Sequence, residues 1–331
     1  IYGSPKVAAY HRNALGIQAN FTIINNVEDA VDGKVNLLTT FDEDVKVDMG
    51  QPSKEAGTAA LKALDRAMED YKAGGYDVLV TAPINKNDIQ GDGFRFCGHT
   101  EYIQEKVGEG KKALMILAGN SLRVALVTTH LPIAEVASAI TKEAIVEKCT
   151  IFNEALRRDF NVSAPRIAVL SLNPHAGDGG VIGNEEENVI KPALEELEAA
   201  GVKAFGPFAA DGFFGQGMYT AFDGVLAMYH DQGLAPFKTI VGGEGVNITA
   251  GLPIVRTSPD HGTAYDIAGK GVADETSFRT AVYKAIDIFR NRINYDEPMQ
   301  NPLQKLYHER RDDSEKVRFA VPKKPKQAEQ Q

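Results

Sequence analysis

Strand-length apolar runs alternate with helical segments along most of this chain, and that alternation restricts the fold more than any other feature. Residues 76–81, 114–118, 122–128, 166–172 and 224–229 read as buried strands, with shorter candidates at 21–24, 34–40 and 252–256. Residues 53–74, 100–107, 141–160, 184–200 and 277–294 read as helices. In the first of these, Ala60, Leu61, Leu64, Met68 and Tyr71 follow a helical period. Ser53 suits the N-cap, Glu55 the first turn, and Gly74-Gly75 the end. Strands separated by helices predict an α/β fold with a largely parallel sheet.

At 331 residues, two domains are the expected organisation. The net charge of −9 argues against a nucleic-acid or anionic-membrane surface, since the average field repels a polyanion. A local basic pocket for one phosphate remains compatible with it. Cys97 and Cys149 form no short metal-binding pair and too small a disulfide framework, so a reducing, cytoplasmic setting is expected. No apolar run approaches the ~20 residues that span a bilayer, and no signal-peptide pattern is present. The chain opens on Ile1, which suggests that an N-terminal piece is missing. Residues 319–331, rich in Lys, Pro and Gln, are expected to be disordered.

Three of the seven histidines stand where a strand runs out: His130, His175 and His230. Ligands of open α/β sheets bind beyond the carboxyl ends of strands. Three imidazoles there suit one divalent metal, although their spacing matches no short zinc motif. Singly, each would more simply be a packed or loop-capping residue. Gly98-His99-Thr100-Glu101 stands at a helix entry, where free N–H groups and a partial positive charge favour an anion and Thr100 could cap. Lys238 and Arg256 flank glycine- or proline-rich loops in an otherwise acidic chain. Arg grips a phosphate at two points and Lys adds a point charge; the plainer alternative is two exposed surface cations. The stretch from Asn173 to Gly183 invites a dinucleotide reading, but Ile182 stands where G-x-G-x-x-G needs its third glycine, so a standard Rossmann fingerprint is rejected.

Taken in order, these clusters resemble the 4-hydroxythreonine-4-phosphate dehydrogenase family of vitamin B6 (pyridoxal 5'-phosphate) biosynthesis. The matching stretches are residues 82–86, 98–101, 128–132, 172–177, 229–238, 245–249 and 252–264. The resemblance implies that His130, His175 and His230 hold one divalent metal (Zn, Mg or Co) per subunit. It implies that His99, Thr100, Lys238, Asn247 and Arg256 contact a phosphorylated substrate. It also implies NAD, with NADP possible, and a homodimer whose site lies at the interface, with one metal histidine from the partner chain. The implied fold is that of isocitrate and isopropylmalate dehydrogenases: two α/β/α domains with a cleft between them. Residues 1–110 with 255–318 would form the first domain and 111–254 the second. The family opens with a Gly-Asp-Pro-rich strand and helix not present here, residues 25–51 are longer and more acidic than its pattern, and Val181 replaces a basic residue or His.

The implied reaction is NAD-dependent oxidation of 4-phosphohydroxy-L-threonine, with loss of CO2 from the resulting β-keto acid, to 3-amino-2-oxopropyl phosphate. Metal coordination would acidify the hydroxyl and stabilise the enolate. Asp211, Asp231 and Asp260 are the acidic candidates for the general base. Two alternatives are a paralogous dehydrogenase of four-carbon sugar-acid phosphates and a phosphotransacetylase-like acyltransferase, the latter disfavoured by the histidines.

Overall fold

The computed structural model describes residues 1–41, 45–91 and 94–302, so the tail at 319–331 lies outside the described residues. The first third contains β1 (Tyr2–Gly3), α1 (Pro5–Leu15), β2 (Thr22–Ile24), β3 (Asn36–Thr39), α2 (Lys54–Lys72), β4 (Val78–Val80), α3 (Lys86–Ile89) and α4 (His99–Val107). Next come β5 (Leu114–Ala118), β6 (Arg123–Leu126), α5 (Ile133–Ala139), α6 (Lys142–Arg158), β7 (Ile167–Leu170), α7 (Lys191–Ala199) and β8 (Ala204–Phe208). The chain continues through α8 (Ala210–Gly215), β9 (Gly224–Ala227), α9 (His230–Val241), β10 (Val246–Ala250), β11 (Val255–Pro259) and α10 (Thr276–Gln300). Ser53 caps α2 by accepting from the Ala56 N–H at 3.1 Å.

Eight strands form one sheet in the order β4-β11-β10-β5-β6-β9-β7-β8, and β1-β3-β2 form a small parallel sheet. The expectation of a largely parallel sheet needs correction. The pairings β11–β10, β10–β5 and β5–β6 are antiparallel, and the other four are parallel. The turn at residues 119–121 joins β5 to β6 as a hairpin, and hairpins reverse direction where crossovers do not. β4 and β11, from the range expected to form the first domain, and six strands from the second range share this sheet.

Successive side chains of the central strands pack on opposite faces of the sheet, and both faces are buried. Ile116, Ala125, Val169 and Leu226 pack on one face with Phe152 and Leu156 of α6, Leu197 of α7 and Ile288 of α10. Leu117, Val124, Leu126, Leu170 and Val225 pack on the other with Phe213 of α8 and Leu234 and Phe237 of α9. With both faces covered, strands read as continuous apolar runs. Each large side chain so buried contributes roughly 1.5–3 kcal/mol. A third cluster joins Leu64 and Met68 of α2 and Tyr102 and Ile103 of α4 to Leu79 and Ile254 at the β4–β11 end.

Among the elements that departed from the sequence reading, two bear on the site. β11 starts at Val255, not 252, because residues 251–254 turn the chain and Pro253 has no N–H to give a ladder. Residues 230–241, read as a loop, form α9 despite Gly233 and Pro236. A Cβ at Gly233 would stand 2.8 Å from Val124 and 2.9 Å from Leu126, so glycine lets this helix lie directly on the sheet. Lys238 is therefore a helix residue, while Arg256 is a strand residue, as its place in the 252–256 candidate implied.

Candidate active site

Three neighbouring parallel strands, β6, β9 and β7, end on the same side of the sheet, and the site is built at the ends of the first two. The Thr128 N–H and hydroxyl both donate to the Met228 carbonyl, at 3.1 and 2.8 Å, which levels the ends of β6 and β9. Two residues beyond each stand His130 and His230, with ring centroids 6.1 Å apart. His230 opens α9 with Nδ1 2.7 Å from Asp231 Oδ1. A proton on Nδ1, donated to that carboxylate, leaves the Nε2 lone pair free.

His175 exits β7 but does not join them. It is exposed and lines a separate hollow of ≈ 600 Å³ with Tyr229, Asp211 and Asp231. The first turn of α9 divides the two spaces, turning His230 to one and Asp231 to the other. Among the described residues, no three His, Cys, Asp or Glu side chains stand close enough to hold a metal. One chain thus brings together two of the three expected ligands. Neutral imidazoles with free Nε2 atoms fit a divalent metal chemically, and such a centre needs a further ligand beyond the two that this chain gathers.

His130 and His230 face a cavity of ≈ 370 Å³ that is also lined by His99, Thr100, Lys238, Asn247 and Arg256, all five of the expected substrate residues. Arg256 lies on β11 between β4 and β10 and is only 3% exposed. Its Nε and Nη2 donate to Thr81 Oγ1 at 3.1 and 2.6 Å, and Nη1 donates to Thr249 Oγ1, opposite it on β10, at 3.2 Å. Hydroxyls orient this guanidinium without neutralising it. Burial pushes it down to about 10, with Glu101 opposing, so it stays cationic at neutral pH. A buried, oriented cation without a carboxylate in contact is a receptor for an anion. Lys238 differs: it is half-exposed and ion-paired to Asp260 at 3.0 Å. Asn247 Oδ1 is buried without a hydrogen-bond partner.

His99 opens α4, whose N-cap is Gly98 with no side-chain cap; Thr100 does not cap, as it lies inside the first turn. Burial first, then Arg256 and Lys86, lower His99 to about 3. Burial and Lys86 also lower His130, with Glu101 opposing. Both imidazoles are therefore neutral at physiological pH. Of the acidic candidates, Asp260 lines this cavity, while Asp211 and Asp231 line the hollow around His175. Burial raises the Asp260 carboxyl, against the pull of Lys238. Sequence reasoning gave no role of its own to Lys86, Glu101, Thr81, Thr249 or Ser258, although all but Thr81 lay within the quoted stretches. The part played by Lys86 required knowing that it lies near both His99 and His130.

A second cavity of ≈ 540 Å³ adjoins the first and shares Ala82, Pro83, Ile84, His261 and Gly262 with it. Its wall is mostly small residues, including Ala264, Ala268 and Gly269.

Comparisons with known proteins fit this arrangement. The profile of the family described as pyridoxal phosphate biosynthetic protein PdxA matches residues 1–285. A 4-hydroxythreonine-4-phosphate dehydrogenase of Bacteroides thetaiotaomicron is 60% identical over 319 residues, covering 96% of this chain and 88% of the relative. One from a Sulfurihydrogenibium species is 44% identical, covering 88% and 89%. A crystal structure of 4-hydroxythreonine-4-phosphate dehydrogenase from Klebsiella pneumoniae superposes with a TM-score of 0.74 at 32% identity, covering 87% of this chain and 89% of that one.

Proposed function

The chain belongs to the PdxA family of pyridoxal phosphate biosynthetic proteins, and from that membership we infer that it is a 4-hydroxythreonine-4-phosphate dehydrogenase. The observation that best supports this is the buried Arg256, oriented by Thr81 and Thr249 and open to the cavity. We propose that it anchors the substrate phosphate, with Thr100 and the neutral His99 adding hydrogen bonds and Lys86 adding charge. Lys238 is a weaker contributor, since Asp260 already compensates it. Fixing the remote phosphate orients the reacting carbon near His130 and His230.

We assign a divalent metal to His130, His230 and the partner subunit's His175, where it would supply Lewis acidity to the substrate hydroxyl. The homodimer follows from that assignment, because one chain leaves His175 outside its own cavity. We assign the nicotinamide cofactor, NAD, to the adjoining small-residue cavity, where it would accept a hydride from the substrate carbon. Asn247 turns its unpaired Oδ1 to a substrate donor such as an ammonium or hydroxyl group. Asp260 is the carboxylate we favour to take the hydroxyl proton. On this reading the cavity lies where the lobe of residues 1–110 and 255 onward meets that of 111–254.

The test is NADH formation with 4-phosphohydroxy-L-threonine before and after chelation. Reduction that is abolished by chelation and restored by a divalent metal is expected. Activity with four-carbon sugar-acid phosphates and none with 4-phosphohydroxy-L-threonine would overturn the substrate assignment. Full activity after exhaustive chelation would overturn the metal.

A further inference from the structure

His175 stands in a run of backbone that L-residues avoid. His175, Ala176, Gly177, Asp178 and Gly179 all have positive φ, at 53°, 53°, 78°, 44° and 64°. Three of these five carry a side chain, and strained conformations of this kind persist only where the surroundings over-determine them.

The surroundings here centre on one carboxylate. Glu186 is 1% exposed and belongs to a π-turn (Glu186–Ile190) that leads into α7. Its Oε1 accepts from the Leu172 and Asn173 N–H groups, both at 2.8 Å, and its Oε2 accepts from Asn173 Nδ2 at 3.0 Å. The far side of the loop is fitted to the same group: a Cβ at Gly177 would stand 2.7 Å from Glu186 Oε2. Gln232 adds a strut, donating to the Ser171 carbonyl at 2.6 Å and accepting from the Met228 N–H at 2.8 Å. That strut joins the strand end before His175 to the one before His230. The α-helical ladder needs none of this. A helix that spends a buried carboxylate and a π-turn on a loop is shaped for what the loop carries.

We propose that Glu186 is a positioning residue, which holds His175 in the orientation needed to complete a metal centre with His130 and His230 of a second copy. This rests on the reading of His175 as a metal ligand. Hydrogen-bonded supports of ligands commonly carry about 10- to 100-fold in metal affinity.

The experiment is titration of the metal-free full-length chain with Co(II), read by its visible absorption bands. The variants are Glu186→Gln, Gly177→Ala and His175→Ala, with thermal melts as controls. Glu186→Gln keeps the size of the side chain but turns an amide N–H2 toward the Asn173 donor. Gly177→Ala sets a methyl 2.7 Å from Glu186 Oε2, so the fit between loop and carboxylate is broken while the carboxylate itself is kept. We expect Co(II) affinity to fall about 10- to 100-fold in both, with shifted bands, while the folded baseline is kept. Should Glu186→Gln fail to fold, Gly177→Ala carries the test alone. Loss with His175→Ala but unchanged affinity and bands in folded Glu186→Gln and Gly177→Ala would overturn the positioning role only. Unchanged binding in His175→Ala would overturn the ligand reading, and the proposal with it.

Discussion

The two walls of the cavity are made by different means. The wall formed by β4, β11 and β10 carries Arg256 deep in the sheet, oriented by its neighbours on both adjoining strands. Everything it needs is within one chain. The wall formed by the ends of β6 and β9 carries His130 on an exposed bend and His230 at the start of α9, and the third histidine of the set lines another hollow. One wall is finished on folding and the other is left open. Binding energy for a remote anion is best fixed in advance, because a rigid anchor costs nothing to organise at the moment of binding. On the proposed reading, a metal centre completed by two copies would make activity depend on assembly.

The sharpest way to break this contrast is Arg256→Met. If the sheet wall is the anchor, kcat/KM falls by roughly 1000-fold, about 4 kcal/mol, in steady-state assays. The ligand-free variant should melt no lower than the parent, because an uncompensated buried cation has been replaced by an apolar chain. A loss of ten-fold or less would move the anchor elsewhere. The open wall predicts complementation. His175→Ala and Arg256→Met are each expected to be nearly inactive alone. Dissociated, mixed one to one and reassembled, they should regain about a quarter of parental activity, since half the dimers then hold one intact site. No recovery, with mixed dimers present, would mean that each chain builds its own centre.

Lys238→Met should cost less, about ten-fold in KM with kcat little changed, since a half-exposed cation paired to Asp260 adds little that is new on binding. The smallest effect is on stability against pH. Folding holds His99 at about 3 against an ordinary 6.5, through burial, Arg256 and Lys86. The unfolded chain takes up a proton that the folded one refuses, so this contribution is fully present above 6.5 and is lost as pH falls toward 3. In urea melts between about pH 6.5 and pH 4, His99→Gln should therefore lose stability less steeply than the parent, by up to about 1.4 kcal/mol per pH unit.

Some errors in reading the fold fall at the site, while others, at α1, α5 and β8, do not. Val246, Ile248 and Ala250 alternate with Asn247 and Thr249 as a half-polar strand should, yet glycines at 242, 243 and 245 drew the stretch toward a loop. Its polar face is polar because it lines the cavity and orients Arg256. Residues 230–241 misled for a related reason: Gly233 lowers helix propensity but permits the close packing that brings His230 to the strand end. Positions that break local rules are where function overrides propensity.

The sequence by itself determined the α/β class, most of the buried strands and helices, and the seating of three histidines at strand ends, because these follow from short-range periodicity and from where apolar runs stop. It also fixed the family, through an ordered set of local motifs. Only the tertiary structure decided that the five residues expected to face substrate, from α4, α9, β10 and β11, share one cavity with two of those histidines, and that the third stands apart. It alone exposed the contacts of Thr81, Thr249 and Glu186. The physical reason is the range over which each fact is encoded. A strand is written in five or six neighbouring residues, whereas the orientation of Arg256 is set by hydroxyls 175 and 7 residues away in the chain, and those meet it only when the sheet has closed.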